Sequence, residues 1–111
     1  MFIEVQGHHV SITQGITDYI NKKFECIKKH DSSDMITTIR VFIKLEKGKD
    51  GNNESHKAEG LVRFKGKQEA CAEAITADMY QSIDKLAAKL DRLVKEHKEK
   101  QQGHGSNSGN F

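Results

Sequence analysis

Three sets of residues have types and spacings that suit chemistry. The first is a row of cations, Lys85, Lys89 and Arg92, at i, i+4 and i+7. On a helix these fall on one flank, with Asp84 and Asp91 on the other. Like charges at this spacing repel and do nothing for an isolated helix. Such a row is ordinarily a solvated face, and it is also what a phosphate-contacting surface requires. The second set is His8-His9, which suggests a metal or an imidazole base. No Cys, Asp or Glu cluster offers companion ligand spacing, and neighbouring side chains on extended chain point to opposite faces. No metal or other cofactor is expected. The third is Cys26 and Cys71, far apart and outside any C-x-x-C spacing. As nucleophiles each would need a His base and an orienting group, and nothing in the sequence pairs them with any, so they are expected as reduced, partly buried thiols. Gly48, Gly51, Gly60 and Gly66 make no phosphate-loop pattern. No catalytic constellation emerges, and the expectation is a protein without enzymatic activity.

The cation row needs an element to carry it. Met79, Ile83, Leu86, Leu90 and Leu93 recur at spacings of four and three, and Ala87 and Val94 widen that stripe. This predicts a long amphipathic helix over 78–100, with Asp78 as its cap and one face against a core. An earlier helix is predicted from Ile16, Ile20, Phe24 and Ile27, capped by Ser11 or Thr13 and running to about Lys29. It carries Lys22 and Lys29 on its far side and Lys23 and Lys28 at the margins.

The remaining periods are of two. Phe2 to Gln6 reads as a strand. Ile39, Val41, Ile43 and Leu45 alternate with Arg40, Phe42, Lys44 and Glu46, which marks a strand with one buried face. Ala58, Gly60, Val62 and Phe64 restart the alternation after a polar loop, Gly48 to Glu54. Residues 68–76 are ambiguous. Glu69-Ala-Cys-Ala-Glu-Ala is helix-prone by propensity, yet it alternates and follows the turn Lys65-Gly66-Lys67, and a fourth strand is the reading adopted. The order is then β-α-β-β-β-α, an α+β two-layer sandwich with both helices covering one face of a four-stranded sheet. Laying both helices on one face brings their polar sides together, so the two cation sets are expected to merge into one outward patch.

The totals bound what such a patch can do. The chain has 111 residues and a formal net charge of only +2, so nucleic-acid binding must come from segregated charge. One domain is expected over 1–100, with the Gly/Ser/Asn-rich stretch 101–111 as a disordered tail. No segment reaches membrane-span length and the N-terminus lacks a positively charged signal start, so the cytoplasm is the expected compartment. Aromatics are scarce, and Tyr80 reads as a core or rim residue, which argues against a sheet that stacks single-stranded bases. Helix-borne cations suit folded, phosphate-rich RNA read by shape.

Several stretches coincide with one family. Gly7-His-His-Val-Ser-Ile-Thr13, Tyr19-Ile-Asn-Lys-Lys-Phe-Glu25, Lys28-Lys-His30, His56-Lys-Ala-Glu59, Asp78-Met-Tyr-Gln-Ser-Ile-Asp84, Lys89-Leu-Asp-Arg92 and His97-Lys-Glu-Lys100 carry the match. Over residues 1–100 the chain resembles the bacterial ribosome hibernation promoting factors, also described as ribosome-associated inhibitors or ribosomal-subunit interface proteins. The resemblance implies the β-α-β-β-β-α fold, similar to a double-stranded RNA-binding domain. It implies binding to the small ribosomal subunit and its ribosomal RNA near the decoding region, blocking messenger and transfer RNA in stationary phase or stress. Carried onto this sequence, the RNA-binding residues are Lys22, Lys23, Lys28, Lys29, Lys85, Lys89, Arg92 and Lys95.

The chain departs from the family pattern in several places. It lacks the additional C-terminal domain of long members and the acidic extension of the inhibitor branch. It looks like the short form, a monomer off the ribosome that would support ribosome dimers with a separate modulation factor. Its Gly48 to Glu54 loop is longer than in short members, and Ala70-Cys-Ala72 is less bulky. The competing reading is a generic double-stranded RNA-binding module acting off the ribosome; an enzyme using Cys71 or the histidines is a third. A role modulating a transcription factor is attached to the family by name, and nothing in the residues argues for it.

Overall fold

The computed structural model describes residues 2–31, 35–47 and 54–103. The element order is β1 (Phe2–His8), α1 (Gln14–His30), β2 (Ile36–Lys47), β3 (Glu54–Phe64), β4 (Glu69–Thr76) and α2 (Met79–Gly103). The four strands form one sheet in the order β1-β2-β3-β4. β1 runs parallel to β2, with Glu4 opposite Arg40, while β2/β3 and β3/β4 are antiparallel. A parallel pair needs a crossover, and α1 is that crossover.

The core collects the alternate strand positions and the helical stripes. Ile39, Val41 and Ile43 of β2 and Ala58 and Val62 of β3 are fully buried against Ile20, Phe24 and Ile27 of α1 and Ile83, Leu86 and Leu90 of α2. Each such large side chain contributes about 1.5–3 kcal/mol relative to its exposed state. α2 lies close on β3 at Gly60, where a Cβ would stand 2.6 Å from Leu90 Cδ1. The buried Ser82 hydroxyl donates to the His56 carbonyl at 2.5 Å and meets Thr76 Oγ1 at 2.7 Å, tying the start of α2 to β3 and to the end of β4.

The boundaries answer the open points of the sequence. Thr13 caps α1, its hydroxyl accepting from Ile16 N at 3.2 Å. The Asp78 carbonyl accepts from Ser82 N at 3.0 Å, so α2 starts where expected. Residues 69–76 form a strand paired along its length with β3, Leu61 facing Cys71 and Glu59 facing Glu73. Backbone pairing with a waiting edge outweighs the helix propensity of an Ala-rich segment. α2 runs to Gly103, three residues into the stretch that composition assigns to a tail. The rest of that stretch, and most of the Gly48 to Glu54 loop, lie outside the described residues.

Two expectations are corrected. Cys26 and Cys71 are both exposed free thiols, not partly buried ones. Cys26 lies off the α1 core stripe, and Cys71 sits on the face of β4 opposite the helices. His8 and His9 do not diverge either, since their rings meet edge to face with centroids 4.1 Å apart. His9 has a φ of 61°, so the chain is not extended there and the alternation argument does not apply.

Candidate nucleic-acid interface

The outer surfaces of α1 and α2 carry all eight predicted contact residues, but not as one merged patch. On α1, Lys22, Lys28 and Lys29 are exposed, and no ion pair engages them among the described residues. Asp18 is occupied by Gln14, which donates to it at 2.8 Å. Lys28 and Lys29 close the last turn, where cations also complement the exposed carbonyls of the helix end. On α2, Lys85 is exposed and likewise unpaired among the described residues.

The other four already have partners. Lys23 Nζ lies 3.3 Å from Asp84 and Lys95 Nζ 3.3 Å from Asp91. Arg92 reaches Glu96 at 3.8 Å across one helical turn. Lys89 Nζ donates to the Glu73 carbonyl of β4 at 2.6 Å, covering a backbone acceptor on the edge strand. Exposed pairs of this kind are worth about 0–1 kcal/mol, so a phosphate can displace them at small cost.

Between the two rows runs an acidic seam. The carboxylate flank of α2 faces α1: Tyr19 OH donates to Asp84 Oδ1 at 2.6 Å, and His30 Nδ1 meets Asp91 Oδ1 at 2.6 Å. Tyr80, at 41 % exposure, stands edge-on to Tyr19 with centroids 4.8 Å apart, so it is a rim aromatic at the helix junction. Asp84 raises the Tyr19 pKa above its ordinary 10.0, chiefly by accepting its hydrogen bond. It raises that of Lys23 above 10.5 through the same contact and the charge attraction. Each seam carboxylate is thus held by two donors, which limits the repulsion it offers an approaching phosphate.

Reasoning from sequence put Asp84 and Asp91 on the opposite flank of α2 from the cation row but did not pair them with Tyr19 and His30. Tyr19 and Asp84 are 65 residues apart, and nothing local signals their pairing.

Among the described residues no group of three or more His, Cys, Asp or Glu side chains is placed to hold a metal ion. No helix is long and apolar enough to cross a membrane. The structure is thus that of a two-layer α+β protein with cations borne on the outer flanks of its two helices.

Comparison with known proteins makes the assignment particular. Residues 3–102 match the family described as "Sigma 54 modulation protein / S30EA ribosomal protein", and the chain belongs to that family. It is 40 % identical to the ribosome hibernation promoting factor of Pseudomonas putida over 92 % of this chain and 91 % of the relative. It is 30 % identical to that of Escherichia coli over 94 % of this chain and the whole of the relative. In fold it is similar to a ribosomal subunit interface protein from Coxiella burnetii, with a TM-score of 0.75 at 24 % identity, covering 88 % of this chain and 98 % of the other.

Proposed function

We propose that this chain is a ribosome hibernation factor of the short type, which docks its helical layer on ribosomal RNA of the small subunit near the decoding region. It is not an enzyme; its action is occupancy. Filling the channel excludes messenger and transfer RNA and holds translation off in stationary phase or stress. The protein is a monomer off the ribosome, works in the cytoplasm, and relies on a separate modulation factor to bring ribosomes together as dimers.

One observation carries this reading beyond the family name. Lys22, Lys28, Lys29 and Lys85 project from the helical layer with no ion pair among the described residues, whereas the cations on the opposite sheet face have acidic partners. Unmatched cations at helical spacing gain most from meeting phosphates, because no ion pair among the described residues engages them.

Sedimentation with ribosomes over a salt series tests the proposal. Co-migration with the small subunit at low salt, lost steeply as salt rises, is the expected outcome. Dimers that form only when a modulation factor is added fix the short type. Equally strong binding to short duplex RNA would replace this reading with a general double-stranded RNA-binding module.

A further inference from the structure

We infer that the β3–β4 turn is a second RNA-phosphate contact, with Lys67 as its leading residue, extending the helical surface around the end of the sheet. The inference rests on the reading of the helical layer as an RNA-binding surface. It starts from a backbone outlier. Gly66 has a φ of 89° and Lys67 one of 70°. Glycine adopts this region freely, but a lysine pays for it, and Asn would suit the position better. A residue held there against its preference points to a use for its side chain.

The turn is firmly built. Phe64 N donates to the Gln68 carbonyl at 2.8 Å, closing the turn on itself. Lys65 N donates to the Met35 carbonyl at 2.8 Å, joining the turn to the entry of β2. That entry is in turn fixed to the end of α1. The Asp31 carboxylate accepts from Met35 N at 2.8 Å and from Ile36 N at 2.9 Å, while Asp31 N donates to the Lys28 carbonyl at 3.1 Å. A continuous set of hydrogen bonds, through backbone groups and the Asp31 carboxylate, therefore ties the turn to the last turn of α1, where Lys28 and Lys29 stand.

Charge at this end supports the same partner. Lys67 is exposed and has no ion pair among the described residues. Arg63 is matched by Glu69 at 2.6 Å, and the Asp31 carboxylate is taken up by two backbone N–H groups. β3 is the immediate neighbour of β2, about 4.8 Å away. Through the links from Lys65 to Met35 and from Met35 to Asp31, the turn that bears Lys67 is tied to the end of α1 that bears Lys28 and Lys29.

The test pairs stability with binding in the full chain. Lys67→Asn removes the charge and eases the backbone, so its melting temperature is expected to equal or exceed that of the parent. Its affinity for small ribosomal subunits is expected to fall about three- to tenfold at low salt, with the salt slope shallower by about 1. Lys67→Arg is expected to keep both affinity and slope. If Lys67→Asn binds like the parent while Lys85→Glu loses binding, the turn is no contact and the helical reading stands. If Lys85→Glu also binds normally, the helical reading falls and the inference falls with it.

Discussion

The two faces of this small sandwich treat their charges in opposite ways. On the open sheet face the charges stand in ion pairs of opposite sign. Arg40 reaches Glu4 across the parallel pair at 3.6 Å, Lys57 lies 3.1 Å from Glu59 and 3.3 Å from Glu73, and Arg63 meets Glu69. On the helical face several lysines have no ion pair among the described residues, and two carboxylates, Asp84 and Asp91, lie in the seam between the helices. A sheet places opposite charges side by side on neighbouring strands, so it neutralises itself locally. Two helices laid together place one flank of each in contact and leave the other flanks to solvent. The difference teaches that a net charge of +2 is compatible with a strongly one-sided molecule.

The comparison can be broken most directly by reversing charge on each face. Lys85→Glu with Arg92→Glu is expected to weaken small-subunit binding by at least about tenfold per site, since each change removes a phosphate contact and adds repulsion. Lys44→Glu on the sheet face is expected to change it less than about twofold. Equal losses in a binding titration would show that the charge is not used one-sidedly.

A smaller effect comes from the two native thiols, one on each face. Cys26 is four residues after Lys22 and three before Lys29, so it sits among the α1 cations. Carboxymethylation of Cys26 in a Cys71→Ser background should lower affinity severalfold. The same modification of Cys71 in a Cys26→Ser background should leave it near the parent value. Pull-down with small subunits before and after treatment with iodoacetate reads this out.

The seam makes a third and opposite prediction. Asp84→Asn keeps an acceptor for Tyr19 and removes a negative charge from the helical face, so ribosome affinity should rise modestly and the salt slope should steepen. Glu59→Gln on the sheet face should do neither.

The smallest effect is on alkaline stability. The folded-state pKa values of Tyr19 and Lys23 are raised, so the folded state holds their protons more tightly than the unfolded chain does. Their stabilising contribution is complete below the unfolded values and is lost as pH rises through the folded ones. Lys57, raised by Glu59 and then Glu73, behaves in the same way on the sheet face. Melting temperature should therefore fall above about pH 10, the ordinary range of these groups. Asp84→Asn should remove the helical part of that decline and leave the part due to Lys57. An unchanged alkaline slope in this variant would show that the seam contact does not persist in solution.

Much of the architecture was legible because burial leaves a period in the sequence. The stripe from Met79 to Leu93 and the alternation from Ile39 to Leu45 each name a face, and each face is buried as expected, fully at most positions and partly at Leu45 and Leu93. Residues 69–76 were harder, because Ala-Cys-Ala serves a helix or a strand equally and only the ladder to β3 decides. The eight basic residues were legible as cations on helix flanks. Their grouping was not, since a helical wheel separates two flanks of α2 without saying which one meets α1.

Composition, period and the family stretches by themselves determined that this chain has two amphipathic helices, strands with one covered face, and its charge on helix flanks. Tertiary structure alone decided that β1 lies parallel beside β2 and that Asp84 and Asp91 turn inward to Tyr19, Lys23 and His30. It also decided that Lys89 covers an edge carbonyl and that Lys67 stands at the tip of a strained turn. The physical reason is range. Burial repeats within a few residues and is written locally, whereas ion pairs and backbone contacts between elements join groups that only the packed chain brings within 3 to 4 Å.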